Sequence, residues 1–511
     1  MTQERDRAAV AKHLTERLTT LDREGIVERI WSRDHTVWKD DPTEISDRLG
    51  WLTVPQVMRR QVGELEGFAH RAAEEGLATA VVLGMGGSSL APEVFMRTFG
   101  TADGALELIV LDTTHPVSIA RLTSELDLER TLFVVASKSG TTTETLSHLA
   151  FFWERAPRGE RFVAITDPGT PLEALGRERG FREVFLNPSD IGGRYSALSL
   201  FGLVPAALIG APLHELLDSA DDMRERCRRP SLENPGASLG DAIGWFARTG
   251  RDKLTLLLAE RIASLGDWIE QLIAESTGKD GAGVVPVVGE PLGDPNAYGR
   301  DRLLVRMGDE IDMTPLADAG HAVVTLSEDR GPADLGGEFF RWEMATAVAG
   351  HVLGINPFDQ PNVQEAKDAT RDILASGSVE DPGLDDLAPL LDRVGEGDYV
   401  AILAYLDRTS ETEDAIERVR LSIRDRYRVA TTTGFGPRFL HSTGQLHKGG
   451  ANNGVFIQVV DTARETDLPI PGQAYTFGAL IDAQALGDLR SLRTRGRRVA
   501  RVTFDQLMEV I

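Results

Sequence analysis

The segment Thr131–Thr145, TLFVVASKSGTTTET, has the residue types of a phosphate-binding loop. A strand-like apolar stretch is followed by serine, threonine and glycine positions before a helical pattern resumes. Backbone N–H groups at the start of a helix favour an anion, and hydroxyl groups can donate further hydrogen bonds. The hydroxyls belong to Ser137, Ser139, Thr141, Thr142 and Thr143. Since the GxxxxGK[ST] spacing is absent, we expect a compact phosphate on a small molecule, although hydroxyl-rich loops also cap helices.

A glycine-rich turn, GMGGSSLAPEVF, follows the first predicted strand. Gly87 and its neighbouring glycines allow the backbone to approach a ligand closely, and Ser88 adds a hydroxyl. The turn lacks a GxGxxG frame, so a dinucleotide is not indicated. If this turn and the hydroxyl-rich loop leave neighbouring parallel strands, they converge at the carboxyl edge of one sheet.

Two charged positions could carry a reaction. Arg194 follows the pair Gly192–Gly193 and could hold negative charge that develops on a sugar oxygen, or it could be a surface or capping arginine. Gln271 and Glu275 are four residues apart and share a helical face. Glu275 could act as a general base in an enclosed site, or it could be an ordinary solvated glutamate.

Two later segments hold further proton donors and acceptors. GINPFDQPNVQEAKDAT carries Gln360 and Lys367 around a turn into a helix, and the lysine could donate to a ring oxygen. FGPRFLHSTGQLHKGGANNG carries His441 and His447, which can exchange protons near neutral pH or serve loop structure. The six-residue spacing does not put both histidines on one helical face, and no carboxylate cluster accompanies them, so no metal site is predicted.

The composition limits the class of protein. The chain has 511 residues, which suggests two to four domains at about 150 residues each. Its net charge of −24 argues against nucleic acid or an anionic membrane as partner. Cys227 is the only cysteine, the charged first segment does not read as a signal peptide, and no apolar run reaches membrane-spanning length. A cytoplasmic protein is therefore predicted.

The order of apolar runs and turns predicts an α/β fold. The runs lack alternation, which suits parallel strands covered by helices on both faces. We expect an N-terminal helical arm over residues 1–54, whose tryptophans Trp31, Trp38 and Trp51 pack on the first domain. Two tandem α/β units follow over residues 55–212 and 213–376. An acidic connector, GSVEDPGLDD, begins a smaller C-terminal α/β unit over residues 377–511.

Taken together, these segments resemble the glucose-6-phosphate isomerase family, which is built from sugar isomerase domains. GGSSLAP, SKSGTTTET, GGRYS, ESTGK and FDQxxVxxxK occur in the family's order over about residues 80–370. The resemblance implies tandem three-layer sugar isomerase domains and interconversion of glucose 6-phosphate and fructose 6-phosphate through an enediolate. It implies a hexose 6-phosphate as substrate and neither a metal nor an organic cofactor.

The resemblance also implies roles for individual residues. Arg194 would stabilise the enediolate, Glu275 would move the proton between C1 and C2, and Gln271, Gln360 and Lys367 would line the sugar end. The residues implied to bind the phosphate are Gly87, Ser88, Ser137, Ser139 and Thr142, with Lys138 in the same loop.

One departure from the family concerns the ring-opening histidine. That residue usually lies between the glutamate and lysine motifs, whereas this chain has no histidine there until His321. The late segment HSTGQLHKGG is similar to the C-terminal part of isomerase halves that are fused to transaldolase. His441 or His447 could therefore supply the group from the C-terminal unit. The family is commonly dimeric with shared sites, but a histidine from the same chain would weaken the need for a partner.

Three other functions compete with this hypothesis. A non-catalytic sugar-phosphate sensor would need little beyond the hydroxyl-rich loop, whereas Arg194, Glu275 and Lys367 are all present. An isomerase of broader specificity would also accept mannose 6-phosphate. An amidotransferase-type enzyme would need a nucleophilic cysteine near its N-terminus, and Cys227 is far from it.

Overall fold

The chain forms an α/β structure with three parallel sheets, as described by a computed structural model over residues 2–308, 311–326, 331–376 and 382–510. This confirms the predicted fold class. In the first sheet the strands are β1 (Thr79–Gly84), β2 (Glu107–Leu111), β3 (Thr131–Ala136), β4 (Phe162–Thr166) and β5 (Glu183–Leu186). The second sheet holds β6 (Lys253–Leu258), β7 (Val285–Val287), β8 (Arg302–Met307) and β9 (Ala322–Leu326). The third holds β10 (Tyr399–Tyr405), β11 (Ala430–Phe435), β12 (Gly454–Val460) and β13 (Arg498–Thr503).

The described helices connect and cover these sheets. They are α1 (Thr2–Arg23), α2 (Ile26–Trp31), α3 (Val54–Arg59), α4 (Val62–Glu74), α5 (Leu90–Phe99), α6 (Pro116–Glu125), α7 (Thr143–Arg155), α8 (Pro171–Glu178), α9 (Leu200–Leu208), α10 (Leu213–Arg226), α11 (Pro235–Arg248), α12 (Leu265–Thr277), α13 (Thr314–Asp318), α14 (Leu335–Leu353), α15 (Val363–Ser376), α16 (Ala388–Leu391), α17 (Ser410–Tyr427), α18 (Gly444–Gly449), α19 (Phe477–Thr494) and α20 (Phe504–Met508). Within these residues, no helix is both long enough and apolar enough to cross a membrane.

The first sheet places the two predicted loops side by side. Its strand order is β2-β1-β3-β4-β5, and all pairs are parallel. Every residue of β3 and β4 is buried, as expected for strands covered on both faces. Gly84 at the end of β1 is in register with Ala136 at the end of β3. The glycine-rich turn and the hydroxyl-rich loop therefore leave the same carboxyl edge, as the sequence predicted.

The second and third sheets have strand orders β7-β6-β8-β9 and β11-β10-β12-β13. Between the first two sheets lies a helical layer in which α14 packs on α10, α11 and α12. Helix α14 is buried over nearly its whole length, although it carries Glu338, Arg341 and Glu343 among its apolar residues. The third sheet's unit shares a core with the first, because Phe477 and Leu480 of α19 join the cluster of Leu149 and Phe151 of α7.

The N-terminal arm packs differently from the expectation. Trp51 does contact the first unit, since its ring lies 5.5 Å from that of Tyr195. The expectation is wrong for Trp31 and Trp38, whose indole N–H groups donate to the carbonyls of Cys227 and Ala347 in the second unit. An indole N–H removed from water needs an acceptor, and a backbone carbonyl of the second unit supplies one to each of these two tryptophans.

The domain boundary predicted after residue 376 falls on residues 377–381, which lie outside the described residues. Helix α15, which the sequence assigned to the second unit, packs mainly on α19 of the third unit. Ile373 of α15 is buried with Ala483 and Leu486 of α19. This packing brings Lys367, on the same helix, beside the third unit.

Candidate active site

The hydroxyl-rich loop forms one wall of a cavity of about 590 Å³. The loop occupies residues 137–142, between β3 and α7, and Ser139, Thr141 and Thr142 line the cavity. The hydroxyl of Ser137 lies 2.9 Å from that of Thr142 and accepts the backbone N–H of Gly140 at 3.1 Å. The loop is thus folded by its own hydroxyls at the N-terminus of a thirteen-residue helix, where an anion is favoured.

At Gly140 the loop packs closely against Thr170 and Leu172. Its φ is +67°, in the left-handed region, and a Cβ there would lie 2.9 Å from the backbone nitrogen of Leu172. Both the conformation and the space require glycine. The sequence run SKSG therefore specifies the loop shape directly.

Lys138 points away from the cavity although it belongs to the loop. Its ammonium donates to the carboxylate of Asp167, which follows β4, and to the Ser189 carbonyl at 3.0 Å. The pKa of Asp167 is raised because burial disfavours its charge more than Lys138 favours it. Lys138 therefore connects the loop to its neighbouring strand ends.

The glycine-rich turn packs closely against other segments of the candidate site. A Cβ on Gly87 would lie 2.0 Å from the carbonyl oxygen of Gly193, next to Arg194. A Cβ on Gly86 would lie 2.7 Å from the carbonyl oxygen of His441 and 2.9 Å from Nε2 of Gln271. The turn is thus the point where three predicted site segments meet. Gly87 and Ser88 themselves are buried and do not line the described cavity.

Arg194 and Glu275 form a buried ion pair. Nη1 of Arg194 lies 3.3 Å from Oε1 of Glu275, and the two side chains are 3% and 6% exposed. Gln271, one helical turn before Glu275 on α12, donates its amide to Oε2 of Glu275 at 3.0 Å. The structure therefore brings together the predicted base and the predicted electrostatic partner. Buried charges cost free energy unless paired and hydrogen-bonded, and this pair is both.

Arg194 is also held by the chain around residues 356–359. Its Nη2 donates to the carbonyls of Pro357 at 2.7 Å and Asp359 at 2.9 Å, and its Nε donates to the Ser276 hydroxyl at 2.7 Å. A fork of five N–H donors suits such simultaneous contacts. Arg194 is therefore fixed in position before any substrate binds.

Lys279 is a site residue that the motif ESTGK contains but the sequence analysis did not assign. Its ammonium donates to the carbonyls of Asn356 and Asp359, each at 2.6 Å, and lies 2.5 Å from Oδ1 of Asp359. Burial, together with the nearby charge of Arg194, lowers the pKa of Lys279 to about 7. Lys279 and Arg194 thus hold the same loop, and that loop carries Gln360 at its exposed end.

His441 connects the buried pair to the cavity. Its carbonyl accepts the Gln271 amide at 2.8 Å, while its ring lines the cavity with Nε2 3.1 Å from Oε1 of Glu144. Glu144, in the first turn of α7, also accepts the amide of Gln484 at 2.7 Å. Burial alone would raise the pKa of Glu144, but the charge and hydrogen bond of His441 outweigh it and lower the pKa to about 2. Glu144 is a second residue that the sequence analysis missed, because its partner lies 297 positions away.

His447 lies in a different environment. Its ring packs 5.1 Å from that of Phe456 and 6.1 Å from that of Phe439, and the side chain is buried. Burial, with Lys448 close by, lowers the pKa of His447 well below its usual value. His447 does not line the described cavity. The structure therefore separates the two histidine candidates and brings only His441 to the hydroxyl-rich loop.

Lys367 faces the cavity from α15. It is exposed and lines the wall that the third unit completes with Tyr475 and Gln484. Its positive charge also helps to lower the pKa of Glu144, so the two groups are near each other. Gln360 is exposed and is not among the residues that line the described cavity. Within the described residues, no group of three or more His, Cys, Asp or Glu side chains could hold a metal ion.

A family model and several known proteins are similar to this chain in sequence. A model of the phosphoglucose isomerase family matches residues 53–285. The chain is 30% identical over 403 residues to a glucose-6-phosphate isomerase of Carboxydothermus hydrogenoformans, covering 65% of this chain and 86% of that protein. It is 30% identical over 388 residues to a glucose-6-phosphate isomerase of Thermus thermophilus, covering 65% and 91%.

Solved structures share the fold. A hypothetical protein of Thermus thermophilus superposes with a TM-score of 0.62 and 26% identity over 71% of this chain and 97% of that one. A glucose-6-phosphate isomerase of Chlamydia trachomatis superposes with a TM-score of 0.61 and 20% identity over 72% and 87%, which supports the fold alone. With its ordered motifs, its paired Arg194 and Glu275 and these relatives, the chain belongs to the glucose-6-phosphate isomerase family.

Proposed function

We propose that this chain catalyses the reversible isomerisation of glucose 6-phosphate and fructose 6-phosphate through an enediolate, using the residues described above. The reaction is that of an aldose–ketose isomerase, which is the activity named for its relatives. The chemistry needs a phosphate anchor, a group that opens the sugar ring, a base beside C1 and C2, and a positive charge near the enediolate oxygen.

The hydroxyl-rich loop supplies the phosphate anchor in this proposal. Ser139, Thr141 and Thr142 line the cavity at the N-terminus of α7, and Ser137 holds Thr142 in place. Hydrogen bonds to a charged group contribute roughly 1.5–3 kcal/mol each. A local anchor of this kind is needed in a chain with a net charge of −24, which repels anions overall.

His441 opens the ring in this proposal. Its ring faces the cavity, and its Nε2 lies 3.1 Å from the carboxylate of Glu144, which orients the imidazole. As the C1–O5 bond of glucose 6-phosphate breaks, His441 passes a proton to O5, and solvent water accepts the proton that leaves the C1 hydroxyl, so that C1 becomes the aldehyde. Lys367, on the facing wall, can hydrogen-bond the same oxygen. The histidine comes from the same chain as the base.

Glu275 then moves the proton between the two carbons. Its carboxylate removes the C2 proton of the open aldose, and the electron pair forms the C1–C2 double bond of the enediolate. Arg194 stabilises the negative oxygen while the proton of the C2 hydroxyl moves from O2 to O1. Glu275 then returns its proton to C1, which leaves the C2 carbonyl of the ketose. Preorganised charge of this kind contributes strongly because it needs no reorganisation during the reaction. Substrate must displace Gln271 or share Glu275 with it, since its amide occupies Oε2.

One observation carries the proposal. The buried ion pair of Arg194 and Glu275 is connected through Gln271 to the carbonyl of His441, whose ring lines the same cavity as the hydroxyl-rich loop. A sugar-phosphate sensor would need the loop but would have no use for a buried base held beside an arginine. The arrangement therefore supports an enzyme over a sensor.

The test is a coupled assay of fructose 6-phosphate conversion by the wild type and by Glu275→Gln. We expect the variant to lose about 10²- to 10⁴-fold in kcat, the usual contribution of a general base. Glu270→Gln is the matched control, since Glu270 lies on the same helix and lines another cavity; it should keep kcat within about twofold. A wild type that binds hexose phosphates without turnover would support the sensor instead.

Substrate specificity, cellular location and the number of chains needed for a complete site are further proposals. Running the same assay with mannose 6-phosphate distinguishes a strict glucose 6-phosphate isomerase from one of broader specificity. We propose a cytoplasmic location from the class of substrate. Because His441 and Glu275 belong to one chain, we propose that a single copy has a complete site. Specific activity that is constant on dilution below the dissociation constant of any dimer would support this.

A further inference from the structure

A second cavity, of about 900 Å³, lies between the second and third units. It shares no lining residue with the cavity at the hydroxyl-rich loop. Its walls come from residues just before four strands: Arg251 precedes β6, Arg300 precedes β8, His321 precedes β9 and Arg428 precedes β11. The volume is in the range that binds small molecules.

The three arginines of this cavity have no ion-pair partner among the residues that the structure describes. Arg300 donates Nη1 to the carbonyl of Ala319 at 2.7 Å, and Nη1 of Arg251 reaches the carbonyl of Arg302 at 3.5 Å, which leaves most of their N–H groups free. The acidic residues on the wall are Asp301 and Glu396, and Asp301 lies 3.3 Å from the buried ammonium of Lys253. Positive charge therefore exceeds negative charge locally, in a chain whose net charge is −24.

Other arginines of the third unit show the contrast. Arg408 lies 2.6 Å from Glu413, Arg424 lies 2.8 Å from Asp425, and Arg438 contacts the carboxylate of Glu93. Arg251, Arg300 and Arg428 differ from these in lining one cavity without an ion pair among the described residues.

Burial and nearby positive charge lower the pKa of both His321 and Arg251. His321 is buried, its Nε2 lies 2.9 Å from the carbonyl of Pro295, and its buried Nδ1 has no hydrogen-bond partner among the described residues. Burial lowers the pKa of His321, and the charges of Arg300, Arg251 and Arg302 lower it further. Burial also lowers the pKa of Arg251, and Arg300 adds to that effect. Arg251 and Arg300 therefore lie close enough to repel each other, and the charge of Asp301 offsets part of that repulsion.

We propose that this cavity binds a small molecule that carries two or more phosphate groups. Guanidinium groups form bidentate hydrogen bonds with phosphate oxygens, and three of them around one space fit a diphosphate better than a single phosphate. The rings of Tyr298 and Tyr427 line the same cavity and could cover an organic part of the ligand. Inorganic pyrophosphate and a nucleoside diphosphate share the required chemistry. The proposal does not depend on the isomerase activity.

The test is calorimetric titration with pyrophosphate in magnesium-free buffer, with saturating fructose 6-phosphate present to occupy the hydroxyl-rich loop. We expect one site per chain, with an affinity that falls as ionic strength rises. Arg300→Gln/Arg428→Gln should weaken binding at least tenfold. Both arginines are exposed, so the double variant keeps the buried contacts of Arg251 and His321.

The matched control is Arg60→Gln/Arg229→Gln, which changes the net charge equally at two exposed arginines outside the cavity. It should bind pyrophosphate like the wild type. Tighter binding of a nucleoside diphosphate than of pyrophosphate would support a role for the tyrosine walls, and equal binding would assign the affinity to the phosphates. Absence of binding to the wild type, or equal weakening in both double variants, would overturn the proposal.

Discussion

The two halves of the candidate active site are built in different ways. The hydroxyl-rich loop is held by its own residues, since Ser137 contacts Thr142 five positions on and Ser139 contacts Thr141 two positions on. The buried half is held by distant parts of the chain, since Arg194 donates to the Pro357 carbonyl 163 positions away. The loop can therefore fold locally, whereas the charged half exists only after the first and second units have packed together.

This difference has an energetic consequence. Removing a hydroxyl from the loop should change the free energy of unfolding only slightly, because neighbouring hydroxyls and water can replace its hydrogen bonds. Removing one charge from the buried half leaves its partner unpaired in the interior, which costs roughly 3–5 kcal/mol. We therefore expect variants of the buried half to have the larger effects, and variants of the loop to change binding more than chemistry.

Arg194→Gln should lose more activity than any variant of the hydroxyl-rich loop or of either histidine. It removes the charge proposed to stabilise the enediolate and leaves Glu275 without its ionic partner. We expect kcat to fall about 10³-fold, with a smaller change in KM, measured in the coupled assay. Arg194→Lys should recover only part of the loss, because a lysine cannot hold Pro357, Asp359 and Ser276 at once.

The control for Arg194 is Arg224→Gln in the helical layer. Arg224 is equally buried and pairs with Asp221 and Glu225, none of which belongs to the site. This variant should lower the free energy of unfolding without changing kcat in the remaining folded protein. If both variants lose activity only in proportion to folded protein, Arg194 is structural and its catalytic role is refuted.

Glu144 connects the two halves and makes stability depend on pH. Its pKa is about 2 in the folded protein, whereas the usual value is 4.5. The lowered pKa contributes roughly 3 kcal/mol to the free energy of unfolding. That contribution is complete above about pH 4.5 and is lost as the pH falls towards 2.

We therefore expect the stability difference between wild type and Glu144→Gln, measured by urea unfolding, to be largest near pH 7 and to shrink below about pH 4.5. Glu411→Gln changes an exposed carboxylate in the first turn of α17 and serves as the control, with a small difference throughout. A Glu144→Gln difference that is the same at pH 3 and pH 7 would contradict a lowered pKa of Glu144 in the folded protein.

The two histidines give a sharper comparison within one segment. His441→Asn should lower kcat/KM for ring-closed glucose 6-phosphate about 10²-fold, because it removes the proposed proton donor to O5. His447→Asn should keep kcat within about twofold and lower the melting temperature, because it puts a polar amide among Phe439 and Phe456. Normal turnover by His441→Asn, or a selective loss in His447→Asn, would reverse the assignment.

Sequence and structure agree where the information is local. The strand, the hydroxyl-rich loop and the N-terminus of α7 follow from one run of residues, because glycine and hydroxyl side chains determine that conformation directly. The choice between His441 and His447 could not be made in the same way. Both are histidines in one segment, and only tertiary packing buries one among aromatic rings and leaves the other beside Glu144.

Long-range partners account for the other differences. Glu144 and Lys279 lie inside motifs that the sequence analysis recognised, yet their partners, His441 and the carbonyl groups of residues 356 and 359, are far along the chain. Lys138 was assigned to phosphate binding through its loop, whereas its ammonium is occupied by Asp167. A side chain's direction depends on what packs around it, and spacing alone does not contain that information.

The smallest expected effect belongs to the loop itself. Thr141→Val keeps the shape of the side chain and removes one proposed hydrogen bond to the phosphate. The phosphate does not react, so we expect the loop to bind it equally in the substrate and in the transition state. We expect KM to rise about tenfold, with kcat within about twofold, as for the loss of uniform binding. Thr145→Val is the matched control. Thr145 lies on α7, directly after the loop, and this buried residue does not line the described cavity. A fall in kcat with KM unchanged would mean that the loop acts on the chemistry, and the division of the site into a binding half and a reacting half would then be wrong.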